Sequence, residues 1–211
     1  MTARIHSVNI GSPTVSNTRS RQPTGIVKAP TDRIDVRAPG PVKGHSGVVG
    51  DFIGSAKHHG GDGQAVYAVA REELDWWGAE LGRELPDGMF GENLTTAGRD
   101  VDGALVDEVW RIGTAVLQVT GPRIPCSTFA GRMQEKQWVK RFAARGHTGA
   151  YLAVLQAGSI SVGDAVEILE RPRHGITVPV SFRAAMGDSD AKERFRASAA
   201  GSPGLRDYIL A

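Results

Sequence analysis

Glycine and proline punctuate this chain at close intervals, and that limits what it can fold into. The 27 glycines and 11 prolines among 211 residues cut it into short apolar runs, and runs of this length bounded by turn formers read as strands. They are Arg4 to Ile10, Gly25 to Lys28, Arg33 to Val36, Gln64 to Val69, Trp110 to Ile112, Thr114 to Thr120, Tyr151 to Leu155 and Ala165 to Leu169. Many short strands at this spacing predict a barrel or sandwich. QAGSISVGD joins the last two runs, and its Gly158, Ser159, Gly163 and Asp164 are turn formers, which predicts antiparallel neighbours at a barrel corner.

Two helices interrupt this pattern. REELDWWGAEL, 71–81, places Leu74, Trp77 and Leu81 on one face behind an acidic first turn. Met133 to Ala144 sets Trp138 and Phe142 four residues apart, with basic residues opposite. The tail changes character. Pro179 suits a first helical turn, Gly187 a stop, Asp188 or Ser189 the cap of a helix through Ala199, and Ser202-Pro203 opens a last short piece. The length suits one well-buried domain with an appendage. The expected division is a β-domain over 1–174 and a helical extension over 175–211, packed on the domain or swapped between copies.

Composition narrows the setting. With 40% hydrophobic and 23% charged residues the chain is globular. No apolar run approaches the roughly 20 residues that span a bilayer, and MTARIHSVNIGSPTV lacks a basic-then-apolar leader pattern, so no membrane association is expected. A single cysteine, Cys126, excludes an intrachain disulfide and fits a reducing, cytoplasmic location. Residues 111–150 hold seven Lys/Arg against one Asp/Glu, the most basic stretch of the chain. That suits a small anionic ligand or a solvated face. No Lys/Arg cluster carries interleaved aromatics, so no nucleic-acid partner is expected.

Three motifs carry chemistry. In GPRIPC, 121–126, two prolines flank Arg123-Ile124 and present Cys126 from a stiff loop. Arg123 can favour the thiolate if its side chain turns the same way. The ordinary alternative is a buried thiol in a proline turn. In HHGGDGQAVYAV, 58–69, adjacent His58 and His59 point to opposite sides of extended chain, and Gly60, Gly61 and Gly63 allow backbone N–H groups to approach an anion. A glycine turn with a surface histidine is the plain alternative. Six histidines and one cysteine make a structural zinc site unpromising. In MFGENLTT, 89–96, Glu92 and Asn93 suit a sharp turn in which Asn93 supplies a two-donor amide.

Taken in order, TGIVK at 24–28, Gly50-Asp51 before HHGG, QAVYA, FGENLTT, PRIPC, TGAYLAVL at 148–155 and SVGDAVEIL resemble the MOSC family, molybdenum cofactor sulfurase C-terminal domains, in its YiiM-like branch. The resemblance covers nearly the whole chain. It implies a mainly β, closed barrel with a few inserted helices and a short C-terminal helical extension. It also implies a pterin molybdenum cofactor, with Cys126 as metal ligand and catalytic residue, and no dependence on pyridoxal phosphate. Thr24 and Lys28 match TGIxK, His59, Gly60 and Gly61 match HGG, Glu92 and Asn93 match GEN, and Arg123 matches the motif arginine; all eight become candidate cofactor contacts. The implied activity is reduction of N-hydroxylated compounds such as hydroxylamino purines, with electrons from a flavin or iron–sulfur partner protein and a homodimer as a possible assembly.

Four positions depart from the family pattern: Val69 for a tyrosine, Asp107 for a glycine, Thr114 for an aspartate and Gly121 for a glutamine. Two other classes stay open: a non-catalytic carrier of cofactor or sulfur on Cys126, and a metal-free thiol redox protein. The second is weakened because no resolving cysteine is present.

Overall fold

The computed structural model describes residues 3–19 and 21–211; Met1 and Thr2, where the N-terminal stretch read above begins, lie outside the described residues, as does Ser20. The chain starts with β1 (Arg4–Gly11), β2 (Thr14–Val15), β3 (Pro23–Thr24), β4 (Lys28–Thr31) and β5 (Arg33–Val36). A 3-10 turn at Asp62–Gln64 leads to β6 (Val66–Ala70), α1 (Arg71–Leu81), β7 (Leu94–Ala97), β8 (Val109–Ile112) and β9 (Ala115–Pro122). Helices α2 (Ser127–Met133) and α3 (Trp138–Arg145) precede β10 (Ala150–Gln156), β11 (Gly158–Ser161) and β12 (Val166–Glu170). The chain then runs through α4 (Val178–Ala185), α5 (Ser189–Ala197) and α6 (Pro203–Leu210).

This is a mixed α/β fold, 29% strand and 26% helix, and the closed, mainly β barrel is not formed. Eight strands make one sheet in the order β12-β8-β9-β10-β6-β7-β1-β4. Closure would require the two edge strands to share a ladder. Instead a single bridge, Arg4 to Ala165, joins the start of β1 to the turn before β12. β5 leaves the sheet to pair with β11, and β2 pairs with β3. The β6–β7 pair is parallel because α1 carries the chain between them. All five residues of β6 are buried, as both faces of such a central strand are covered.

Local expectations need correction in three further places. QAGSISVGD is not a simple corner: it holds β11, and β10 and β12 lie apart, flanking β8 and β9 in the sheet. The helix expected over Met133 to Ala144 is two helices, broken where Gln134 and Gln137 take left-handed backbone with φ of 55° and 54°. The run Gly25 to Lys28 is mostly the connection between β3 and β4.

Three apolar clusters hold these layers. Ile5, Val8, Ala68, Leu94, Trp110, Leu117 and Leu152 fill the sheet interior. Leu74, Trp77, Phe90, Phe129, Trp138 and Phe142 lock α1, α2 and α3 together, with the Phe129 ring edge-on to Phe142 at 5.0 Å. Val106, Ile176, Val180, Phe195 and Ile209 form the third under the tail helices. The side chains of Thr177, Asp188 and Ser202 cap α4, α5 and α6.

The tail also touches the body at two of the four unusual positions. The Asp107 carboxylate accepts the Gly201 N–H at 2.7 Å. A Cβ on Gly121 would stand 3.2 Å from the Leu205 side chain.

Beside the sheet, three backbone segments meet with no side chain between them. A Cβ on Gly25 would lie 1.9 Å from the Phe52 carbonyl oxygen, and one on Gly11 2.3 Å from that of Gly25. Gly25→Ala should therefore force these segments apart and cost about 3 kcal/mol, read as a lowered urea midpoint. A midpoint equal to wild type would show that the contact yields freely.

Candidate functional site

The β3–β4 connection, the loop through residues 46–57, the 3-10 turn and the end of β9 surround a cleft of about 490 Å³. Its walls include Thr24, Lys28, His59, Gly60, Asn93, Arg123 and Cys126, together with Asp51, Tyr67 and Tyr151. Seven of the nine residues singled out in the sequence thus share one surface. Gly61 and Glu92 do not reach it.

The loop that carries Cys126 follows β9 directly. β9 ends at Pro122, and Cys126 takes extended backbone, φ −135° and ψ 172°, at the cap of α2. Its carbonyl accepts the Ala130 N–H at 3.0 Å, and the half-buried side chain packs beside the aromatic cluster. Arg123 is buried, with its guanidinium 4.4 Å from the Phe129 ring centroid and 5.0 Å from that of Tyr67. Burial opposes its charge, but Tyr151, Tyr67, Cys126 and Glu92 around it outweigh this and raise its pKa. Its Nε finds no hydrogen-bond partner among the described residues.

Lys28 is buried too, and its ammonium lies 2.6 Å from Asp51 Oδ1. Burial lowers its pKa, partly countered by Asp51. The Asn93 amide does supply two donors, to the Asn9 carbonyl at 3.2 Å and to Asp51 Oδ2 at 3.1 Å, while its oxygen accepts the Tyr67 N–H. Thr24 Oγ1 accepts the Ile26 N–H at 3.2 Å and shapes the turn between β3 and β4.

Glu92 and Gly61 act from behind the wall. Glu92 is fully buried and accepts the N–H groups of Gly88 and Phe90 and the Thr95 hydroxyl. Gly61 spends its N–H on the His45 carbonyl at 2.9 Å, so that donor is not offered to an anion. The glycine pair instead allows close approach: a Cβ on Gly60 would lie 2.5 Å from the His45 carbonyl oxygen, and both residues hold positive φ.

His59 is half-buried, and its pKa is lowered to about 4 by burial, then by Arg123, Lys43 and His58. It is therefore neutral at pH 7 and able to gain a proton when an anion arrives.

Sequence reasoning missed Asp51, Tyr67 and Tyr151 as wall residues. Asp51 stood in the quoted Gly50-Asp51 pair with no partner to give it a role. The tyrosines sit opposite each other in the β6–β10 register with ring centroids 5.1 Å apart. The Tyr67 hydroxyl is already committed to the Thr148 carbonyl at 2.6 Å. Across the shared wall of Ser46, Asp51, Phe52 and Ile53 lies a second cleft of about 500 Å³, which Arg37 and His45 also line.

The arrangement suits an anion held by Lys28 and Arg123 against a thiol and two tyrosine rings. Two pH dependences follow. Sulfate, a dianion throughout this range, should bind more tightly as pH falls from 7 towards 5, because the bound state holds more protons on His59 than the free state; His59→Gln should flatten that slope in titration calorimetry. Burial lifts the Glu92 pKa from 4.5 to about 7. Its raised pKa favours the fold fully below about 4.5, and that contribution is lost as pH rises through about 7, on the order of 3 kcal/mol. Urea titrations from pH 4.5 to 8 should show this fall in wild type and lose it in Glu92→Gln.

Residues 55–167 match the MOSC domain. Over 210 residues the chain is 33% identical to the uncharacterized protein YflK of Bacillus subtilis, covering 98% of this chain and 92% of that one. A Gibberella moniliformis protein named reductase is 34% identical over 132 residues, which are 60% of this chain but 23% of that protein. Among solved structures, YiiM from Geobacillus stearothermophilus superposes with a TM-score of 0.76 at 26% identity, covering 99% of this chain and 100% of that one. No helix among the described residues is long and apolar enough to cross a membrane.

Proposed function

The chain belongs to the MOSC domain family, and from that premise we propose that it is a cytoplasmic oxidoreductase that binds the molybdenum cofactor in the 490 Å³ cleft and reduces N-hydroxylated compounds. One observation carries the reading. The single cysteine opens onto the same cleft as Lys28 and Arg123, whose buried Nε lacks a partner among the described residues.

The residues fit the group. No three His, Cys, Asp or Glu side chains converge as metal ligands among the described residues. Cys126 can thus furnish one soft ligand and no cage, which suits a metal that brings soft sulfur ligands with it. Once bound, the cofactor supplies two-electron chemistry at an N–O bond. The protein binds and orients. Arg123 and Lys28 would hold the anionic end of the group and His59 and Gly60 would border it, while Thr24 and Asn93 shape the wall from the cleft side. Glu92 and Gly61 hold the loops from behind. The neutral His59 can take up a proton as anionic charge arrives.

The reaction consumes two electrons and two protons, cleaves the N–O bond and releases an amine and water. The electrons come from a flavin or iron–sulfur protein. The Gibberella moniliformis relative named reductase supports a reducing activity, and the part like this chain is 23% of its length.

Cys126→Ser tests the assignment in a host that makes the cofactor. Exchanging sulfur for oxygen changes one heavy atom, so the melting temperature should stay within a few degrees of wild type. Bound molybdenum, near one per chain in wild type, should fall at least tenfold, because a serine alkoxide is harder and far more difficult to form. A serine variant with wild-type molybdenum content and turnover would end the proposal.

A further inference from the structure

We propose that Asp51 is the positioning residue of the cleft: its carboxylate, set in the wall between the two clefts, fixes the Lys28 ammonium and the Asn93 amide in the cleft wall. This adds a residue to the reading above and rests on it only for the ligand's identity.

The geometry is fully engaged. Asp51 Oδ1 accepts the Gly11 N–H at 2.7 Å and the Lys28 ammonium at 2.6 Å. Oδ2 accepts the Ser46 hydroxyl at 2.9 Å and the Asn93 amide at 3.1 Å. Four donors from four separate stretches of chain thus meet on one carboxylate whose side chain is 1% exposed. Such charge-assisted bonds fix direction as well as distance. Lys28 and Asn93 line the main cleft, and Ser46 lines both clefts.

The charges around Lys28 explain why a carboxylate is needed. Asp51 faces it from the loop after Val48, Glu92 from the turn before β7, and Arg123 from the end of β9. Glu92 is held towards its neutral form by burial, and Arg123 repels a second cation. Asp51 is therefore the charge that keeps a buried lysine protonated and drawn inward, so that the cleft presents two cations to a ligand. Without it, burial and Arg123 would both oppose the charge on Lys28 with less to counter them, and its proton affinity would fall.

The experiment uses the full chain without cofactor, so its result is independent of molybdenum content. Lys28 is labelled with acetic anhydride across a pH series and followed by mass spectrometry. Only the unprotonated amine reacts, so the midpoint of the labelling curve reports proton affinity, whereas access changes only its amplitude. Asp51→Asn should lower the Lys28 midpoint by at least one pH unit, about a tenfold gain in labelling at fixed pH below it. A folded Asp51→Asn protein with the wild-type midpoint would overturn the proposal. If Asp51→Asn fails to fold, Lys28→Met in the same chain should restore folding by removing the unpaired cation. Failure of that double variant would place the role of Asp51 in the scaffold around Gly11 and overturn the proposal equally.

Discussion

The cleft depends on backbone passing directly over backbone. The carbonyl of Gly25 sits where a side chain on Gly11 would be, and the carbonyl of Phe52 where one on Gly25 would be. This stacking brings the Phe52 N–H to the Gly11 carbonyl at 3.0 Å and, one residue earlier, the Asp51 carboxylate to the Gly11 N–H. A buried ion pair costs desolvation that its own attraction scarcely repays unless every remaining lone pair is satisfied. Here the glycines make that satisfaction possible, and the Lys28–Asp51 pair follows from it.

Two carboxylates close to the cleft show how surroundings assign roles to the same chemistry. Asp51 meets an ammonium directly and acts as a counter-ion. Glu92 meets only N–H and hydroxyl donors, so burial dominates and its pKa rises to about 7. Glu108, also fully buried, is held by Arg99, Arg171 and the Trp110 indole, and it ties the loop before β8 to the end of β12.

Much of the site was legible from motif order alone, because the constraints there are local. Pro122 and Pro125 act on their neighbours, and the GEN and HGG glycines mark turns whatever surrounds them. The architecture was less legible because it is decided at a distance. Short apolar runs say nothing of which strand lies beside which. The parallel β6–β7 pair depends on α1, and β11 pairs with β5 across more than a hundred residues. Turn formers in QAGSISVGD hid a strand, since the serines and glycines that suit a corner also suit a short outer pair. Gly61 and Glu92 misled for a further reason: a motif marks a residue that is needed without saying on which side of the wall it works. Asp51 went unassigned because its meaning lies in four donors that are dispersed along the sequence.

Asp107 and Gly121 stood out in the sequence only as departures from the family pattern, with no partner to give them a role. Both serve the tail, one by receiving the Gly201 N–H and the other by leaving room for Leu205. Gly121 lies five residues before Cys126 on the strand that leads into the thiol loop, so α6 braces that strand from outside. A chain with these helices and one without them pose different steric demands at positions 107 and 121. In the history of such proteins, then, a change at either position and the gain or loss of the tail would be expected to travel together, coupling the carboxyl terminus to the thiol loop through descent as well as through contact.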